Sequence, residues 1–377
     1  MKYGVLWRKT TKNIGDDMQS YAASLFLPSV DYMVDIEELD SFESEDDEPV
    51  ATIMSAWYMW HKWNWPPSKA VYPMWLGFHY DDIQRGRKRG MPCHFEYLES
   101  GPGLEYMKAY EPIGCRDPYT MKQLDRIGIK NYFSACVTLT LPKRPIVKPE
   151  KEYIVCVDVG ERVEKAVRKQ VRGTGVEVKV LPPTRPEPST DTPWEVRKKE
   201  VEDYLDIYQN AKCVVTKRLH CALPCLALET PVLLVRKDFG SPRFSPYKDW
   251  MKSTTPDRVI AGDYKSFLRN PDPNPTTYLE YRESITKSVT EFIENAKKET
   301  RKASELVRTK YTDVELLKWQ NQTMKMTLHN FHKEEHIDLW ELAWYHGSGV
   351  IGKYVELRKK LGMGLPPNKD HEIEKKN

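Results

Sequence analysis

An arginine and a histidine two residues apart, just past a short apolar run, form the strongest chemical signal in this chain. The run is Val214-Val215-Thr216, and the pair is Arg218 and His220. A guanidinium is always charged and forks to fit carboxylates and phosphates, while an imidazole titrates near neutral pH. Together they suit an anionic substrate that exchanges a proton. A structural role stands beside this one, with Arg218 paired to a carboxylate and His220 to a carbonyl. Cys213, Cys221 and Cys225 lie close to His220 and raise the question of zinc. Adjacent His220 and Cys221 would point apart, and no second cysteine pair at ligand spacing follows, so no metal is expected.

The surrounding pattern says which elements must hold the pair. Cys221 to Leu228 is an apolar helix, and Thr230 to Val235 is a further strand. In open α/β sheets ligands bind outside the strand C-termini, where Arg218 and His220 fall. The N-terminus repeats the plan: a strand from Tyr3 to Trp7, the loop Asn13-Ile14-Gly15-Asp16, and a helix from Met18 to Leu27. Asp16 either handles a substrate hydroxyl or caps that helix. Pro112 to Asp117 reads as a strand ending in Arg116 and Asp117. Asp117 is a good N-cap, Pro118 fits the first helical position and Gly128 fits the stop, with Met121, Leu124 and Ile127 on one face.

Between these lie Thr52 to Trp57 as a buried strand, an aromatic run from Trp57 to Pro67, and an acidic, solvated connection from Asp35 to Glu48. Pro142 to Pro149 is the expected linker. Strands follow at Tyr153 to Val157 and Val176 to Leu181, then an irregular proline-rich stretch to Pro193 and a polar helix from Trp194 to Asn210. Strands alternating with helices in both halves predict α/β architecture: two doubly wound, Rossmann-like domains facing a cleft. Residues 1–145 form the first, 150–275 the second, and 276–377 a helical C-terminal region packed on or between them.

Bulk composition narrows the function. A 40% hydrophobic content over 377 residues marks a globular chain, not a disordered one. A net charge of +3, from 58 basic and 55 acidic residues, gives no electrostatic case for nucleic acid. Seven irregularly spaced cysteines point to reduced thiols in an intracellular compartment. The first residues hold too short an apolar run for a secretory signal, and no stretch is long enough to span a bilayer. The expected location is cytoplasmic, with peripheral contact at a membrane left open.

Several segments together resemble the polysaccharide pyruvyl transferase family. They are Asn13-Ile14-Gly15-Asp16; Trp57-Tyr58 with Trp63-Asn64-Trp65-Pro66-Pro67 and Phe78-His79; Gly114-Cys115-Arg116-Asp117; Ser134 to Leu141; and Arg218-Leu219-His220 with Thr230-Pro231-Val232. The resemblance runs from about residue 3 to about residue 250. The sequence departs from the family pattern at Ser55-Ala56, where an Asn-Gly pair is common, and at Ala135 and Glu229, which each replace a usual glycine.

The resemblance implies transfer of a pyruvyl group from phosphoenolpyruvate to two hydroxyls of one sugar, giving a cyclic ketal and phosphate. The architecture is then similar to that of GT-B glycosyltransferases. The first domain takes the acceptor, a sugar or glycan that can be lipid-linked, and the second the donor. No cofactor is expected beyond phosphoenolpyruvate as co-substrate. Arg218, Arg116 and Leu219 are the expected donor-binding residues, with Arg243 a further candidate or a surface ion pair. His220 is the expected proton carrier, with Asp16 assisting. Asn13, Gly15, Trp57, Trp63, Trp65 and His79 are the acceptor-side candidates, although tryptophans in such a run also build ordinary cores and His79 also fits an aromatic core. Two other functions compete: a nucleotide-sugar glycosyltransferase, for which Glu187 and Glu195 have a fitting separation, and a non-catalytic glycan-binding protein.

Overall fold

Two parallel sheets meet across a shared core in the computed structural model, which describes residues 1–58, 65–80, 96–306, 311–312, 314–323 and 361–362. The first sheet contains β1 (Lys2–Trp7), β2 (Tyr32–Asp35), β3 (Val50–Met54) and β4 (Val71–Trp75), in the order β2-β1-β3-β4. A parallel bridge from Phe78 to Cys115 continues this sheet toward the pair β5 (Ile113–Cys115) and β6 (Asn131–Phe133). The second sheet contains β7 (Tyr153–Val157), β8 (Glu177–Leu181), β9 (Cys213–Thr216), β10 (Val232–Val235) and β11 (Lys252–Thr254), in the order β11-β10-β9-β7-β8. The strand order reverses between β1 and β3, and again between β7 and β9. Each reversal opens a crevice at the strand C-termini, which is where such sheets bind ligands.

Both faces of strands β7, β9 and β10 are buried, as the middle of a doubly wound sheet requires, while the edge strand β8 is partly exposed. Alternation along the strands divides their side chains. Ile154, Cys156, Cys213, Val215 and Leu233 pack against α4 (Glu161–Gln170) in one core. Val155, Val157, Val214, Val232 and Leu234 face the other way. They share a second, larger core with Tyr3, Val5, Ala51 and Ile53 of the first sheet. Between the sheets lie α1 (Ile14–Ser24), α5 (Trp194–Gln209), α6 (Leu219–Ala227) and α7 (Leu279–Ala296). The helices α2 (Gly101–Ala109) and α3 (Pro118–Arg126) flank the first sheet. The α/β class with parallel sheets is therefore as expected.

The strongest local sequence signals match the structure. Asp117 caps α3, accepting from the Thr120 amide at 2.8 Å, and Gly128 beyond its end has φ +71°. Other expectations need correction. The acidic stretch from Asp35 to Glu48 is only partly solvated: Leu39 is fully buried, and buried Glu37 pairs with Arg8. Strands β2 and β4 carry too little apolar periodicity to be read alone and exist through pairing with β1 and β3. Beyond residue 276 the described residues hold α7 up to Ala296 and a further helical stretch over residues 314–323.

The stretch between Leu181 and Pro193 is not merely irregular, because it clasps the loop after β1. The Ile14 amide donates to the Pro183 carbonyl at 3.2 Å, and the Arg185 amide to the Lys12 carbonyl at 2.7 Å. The Ser189 hydroxyl reaches the Thr11 carbonyl at 2.8 Å. Below this strap, Asp17 of α1 is fully buried between two arginines. Arg197 of α5 pairs with both its oxygens, and Arg185 Nη2 lies 2.6 Å from Oδ2. Arg197 also stacks over Trp7, 4.5 Å from the ring centroid.

Candidate active site

The loop after β1 closes on itself through Asn13. Its side chain accepts from the Gly15 amide at 3.1 Å and donates to Asp16 Oδ1 at 2.9 Å. Asn13 is therefore the N-cap of α1, and Asp16 is not. Asp16 also accepts from the Thr11 hydroxyl at 2.6 Å, so its carboxylate is held toward the space in front of the helix.

Across that space stands the N-terminus of α6. Arg218 occupies the N-cap position, and its amide donates to the Thr216 hydroxyl at 3.0 Å. His220 follows with φ −82° and ψ 27°, outside helical values. Pro224 gives the reason: it has no N–H to bond the carbonyl four residues back, which belongs to His220. Two helix N-termini thus face one cleft, each with a partial positive charge that favours an anion, although the first amides of α1 are taken by Pro183 and Asn13.

The cleft encloses about 420 Å³. Its lining brings together residues far apart in sequence: Arg8, Lys12, Asn13 and Asp16 from the first loop, Ser55 and Trp57 after β3, Arg116 after β5, and Arg218, His220 and Arg243 from the second half. Arg116 is 2% exposed. Its guanidinium has no hydrogen bond or ion pair among the described residues, and its buried Nε has no partner. A buried charge left alone is costly, and an anion entering the cleft would offset that cost. The Arg116 carbonyl is itself fixed, accepting from the Tyr247 hydroxyl at 2.6 Å across the two halves.

Arg218 pairs with a carboxylate and also faces the cleft. Its Nε pairs with Asp158, whose other oxygen lies 3.0 Å from Lys217 Nζ, and the same side chain lines the cleft. Asp158 follows the end of β7 with φ +54°. Aspartate is among the few residues that enter this region readily.

His220 is buried, and Nε2 lies 3.7 Å from Cys136 Sγ. Burial, then the charges of Arg116 and Arg243, push its pKa well below the ordinary histidine value. The resting ring is therefore neutral, not poised at neutral pH as its residue type alone suggested. His79 is also buried. Burial and Arg116 pull its pKa down to about 4, against the opposing pull of Asp117, which accepts from Nδ1 at 2.7 Å.

The remaining candidates divide. Gly15 and Leu219 line a small chamber behind His220. Trp57 lines the main cleft, its carbonyl accepting from Arg8 Nη2 at 2.9 Å. Trp65 is a correction: it is fully buried among Tyr58, Trp75 and Tyr106, so no sugar reaches it. His79 packs beside Trp57 but does not line the cleft. Trp63 lies outside the described residues. Glu187 and Glu195 both point to solvent, 86% and 78% exposed, away from the cleft. Arg8, Ser55 and Asp158 were missed, although Arg8 and Asp158 directly follow β1 and β7, where the strand-end rule looks for ligands. Among the described residues no group of three or more His, Cys, Asp or Glu is placed to hold a metal.

Comparison with known proteins now bears on this cleft. Residues 104–238 match the polysaccharide pyruvyl transferase family. The matched span holds Arg116, Cys136, Asp158, Arg218 and His220, so it supplies both arginine-bearing strand ends of the cleft. It is narrower than the resemblance in the sequence, which began at the first strand. No curated protein matches the chain.

Among solved structures, a UDP-N-acetylglucosamine 2-epimerase is 12% identical, with TM-score 0.46, covering 80% of this chain and 99% of that one. The Methanocaldococcus jannaschii UDP-GlcNAc 2-epimerase, in complex with UDP-GlcNAc and UDP, is 12% identical, with TM-score 0.41 and coverages of 77% and 100%. An uncharacterized protein from Klebsiella pneumoniae is 10% identical, with TM-score 0.36 and coverages of 66% and 88%. Likeness of this depth bears on neither ligand nor reaction. No helix among the described residues is long and apolar enough to cross a membrane.

Proposed function

We propose that this chain transfers a pyruvyl group from phosphoenolpyruvate to two hydroxyls of a sugar in a glycan, forming a cyclic ketal and releasing phosphate. The observation that carries the reading is Arg116, a buried guanidinium without a partner among the described residues, opposite Arg218 and His220 in one cleft. The family match over the same strand ends supports the reaction class.

The donor's phosphate and carboxylate would lie between Arg116, Arg218 and the N-terminus of α6. Their negative charge offsets the arginine charges that add to burial in keeping His220 neutral, which favours a proton on the ring as the donor binds. His220 then delivers that proton to the methylene carbon of the enol. The adjacent carbon becomes electron-poor, and a sugar hydroxyl adds to it, losing its proton to the ring or to Asp16. Phosphate leaves with the electrons of its carbon–oxygen bond. A second hydroxyl of the same sugar adds at that carbon, loses its proton and closes the ketal. Positioned acid–base help of this kind contributes about 10²–10⁴-fold. Trp57 offers the acceptor an aromatic surface beside the cleft.

Incubation with phosphoenolpyruvate and a panel of nitrophenyl and lipid-linked sugars tests this reading. Equal release of phosphate and formation of a pyruvylated sugar, seen by mass, is the expected result. Turnover of nucleotide sugars with phosphoenolpyruvate untouched would replace it with glycosyl transfer.

A further inference from the structure

Cys136 and Thr138 have no part in the reaction just described, yet they hold the histidine that does. Cys136 follows β6 and is fully buried, with Sγ 3.7 Å from His220 Nε2. On its other side the sulfur accepts from the Thr138 hydroxyl at 3.3 Å. Thr138 is fully buried too, and neither residue lines the cleft. The two nitrogens of His220 therefore meet different surroundings. Nε2 is turned into the core toward a thiol, and Nδ1 has no hydrogen bond among the described residues.

The hydrogens can be counted. The Thr138 hydroxyl spends its hydrogen on the sulfur. The thiol has one hydrogen of its own, and Nε2 lies within its reach as an acceptor. A neutral ring that accepts at Nε2 carries its proton at Nδ1.

We propose that Cys136 is a positioning residue for His220: its thiol donates to Nε2, fixes the ring proton on Nδ1, and leaves Nδ1 as the nitrogen that meets a ligand in the cleft. The consequence for turnover rests on the pyruvyl-transfer reading; the tautomer does not. A thiol suits the task because sulfur accepts as well as donates. When the ring gains a proton, the Nε2 hydrogen turns to the sulfur and the ring keeps its direction. A carboxylate in this place would favour the charged ring instead, as Asp117 does for His79.

Nitrogen-15 NMR of histidine-labelled protein tests the tautomer, with the His220 signals assigned by their loss in His220→Gln. The expected wild-type signals are a protonated Nδ1 and an unprotonated Nε2. Cys136→Ala is expected to convert them to a mixture of the two tautomers. An Nε2–H tautomer in the wild type, or an unchanged tautomer in Cys136→Ala, overturns the proposal.

The activity arm uses phosphoenolpyruvate and an accepted sugar. Cys136→Ala is expected to lower kcat about tenfold, with KM for phosphoenolpyruvate within about twofold. Cys136→Ser, whose hydroxyl donates and accepts in the same way, recovers most of the loss. A change confined to KM, or no recovery with serine, overturns the positioning role. If the wild type leaves phosphoenolpyruvate untouched, the pyruvyl reading fails while the NMR result still decides the tautomer.

Discussion

Gly15 and His220 meet where the two helix N-termini face each other. A side chain on Gly15 would place its Cβ 2.8 Å from the His220 Cβ and 3.2 Å from Asn13 Oδ1. The first half of the chain therefore helps to set the histidine carried by the second.

Gly15→Ala separates stability from function. Alanine is the better helix former by about 1 kcal/mol, so propensity alone favours the variant. The clash opposes it, and because the His220 Cβ is fixed to its backbone, the start of α1 or of α6 must shift, carrying the His220 ring with it. A thermal midpoint close to wild type, with kcat reduced at least about tenfold, is the expected outcome. Calorimetry and steady-state turnover of phosphoenolpyruvate measure the two quantities.

Arg116→Met tests whether the buried guanidinium awaits an anion. Replacing an uncompensated buried charge with an apolar side chain is expected to leave the unliganded protein as stable or to raise stability by about 1–4 kcal/mol. Affinity for phosphoenolpyruvate should fall by about 2–5 kcal/mol. Urea unfolding without ligand and titration calorimetry with phosphoenolpyruvate give the two numbers. A destabilised variant with intact affinity would assign Arg116 to the scaffold.

The two buried histidines give stability a defined slope with pH. Both have native pKa values below the ordinary one, so below pH ~6.5 the unfolded chain binds more protons than the native chain. Their contribution is full above that pH. It is lost as the pH falls toward about 4, where His79 itself protonates. Each histidine costs about 1.4 kcal/mol per pH unit across its window. Urea midpoints at neutral and mildly acidic pH should show this fall, and His79→Gln should make it shallower.

Glu229 follows α6 in a left-handed conformation, φ +60°, which glycine adopts at no steric cost. Its side chain is half exposed and pairs with Lys143, a contact worth little at the surface. Glu229→Gly is expected to raise stability by about 0.5–1 kcal/mol without changing kcat. Chemical unfolding and turnover check both halves. Ala135 also has a left-handed φ, +58°, but it is fully buried, so the methyl lost on change to glycine offsets the gain.

The sequence by itself determined what is local. Asp117, Pro118 and Gly128 marked the start and stop of α3 because caps act within a few residues of the helix ends they satisfy. The apolar runs at Tyr3, Tyr153 and Val214 were legible as buried strands, and the residues just beyond strands drew attention to Arg116, Arg218 and His220. Partners distant in the chain were decided only by the tertiary structure. Nothing near Asp17 announces that Arg197 neutralises it, and nothing near His220 announces Cys136. Trp57 and Trp65 are the same residue type in the same aromatic run, yet one lines the cleft and the other is fully buried. Residue type set the ordinary pKa of His220, but burial beside Arg116 and Arg243 made the ring neutral. Periodicity and capping depend on neighbours in the chain, whereas burial and charge at a site depend on whatever the fold brings there.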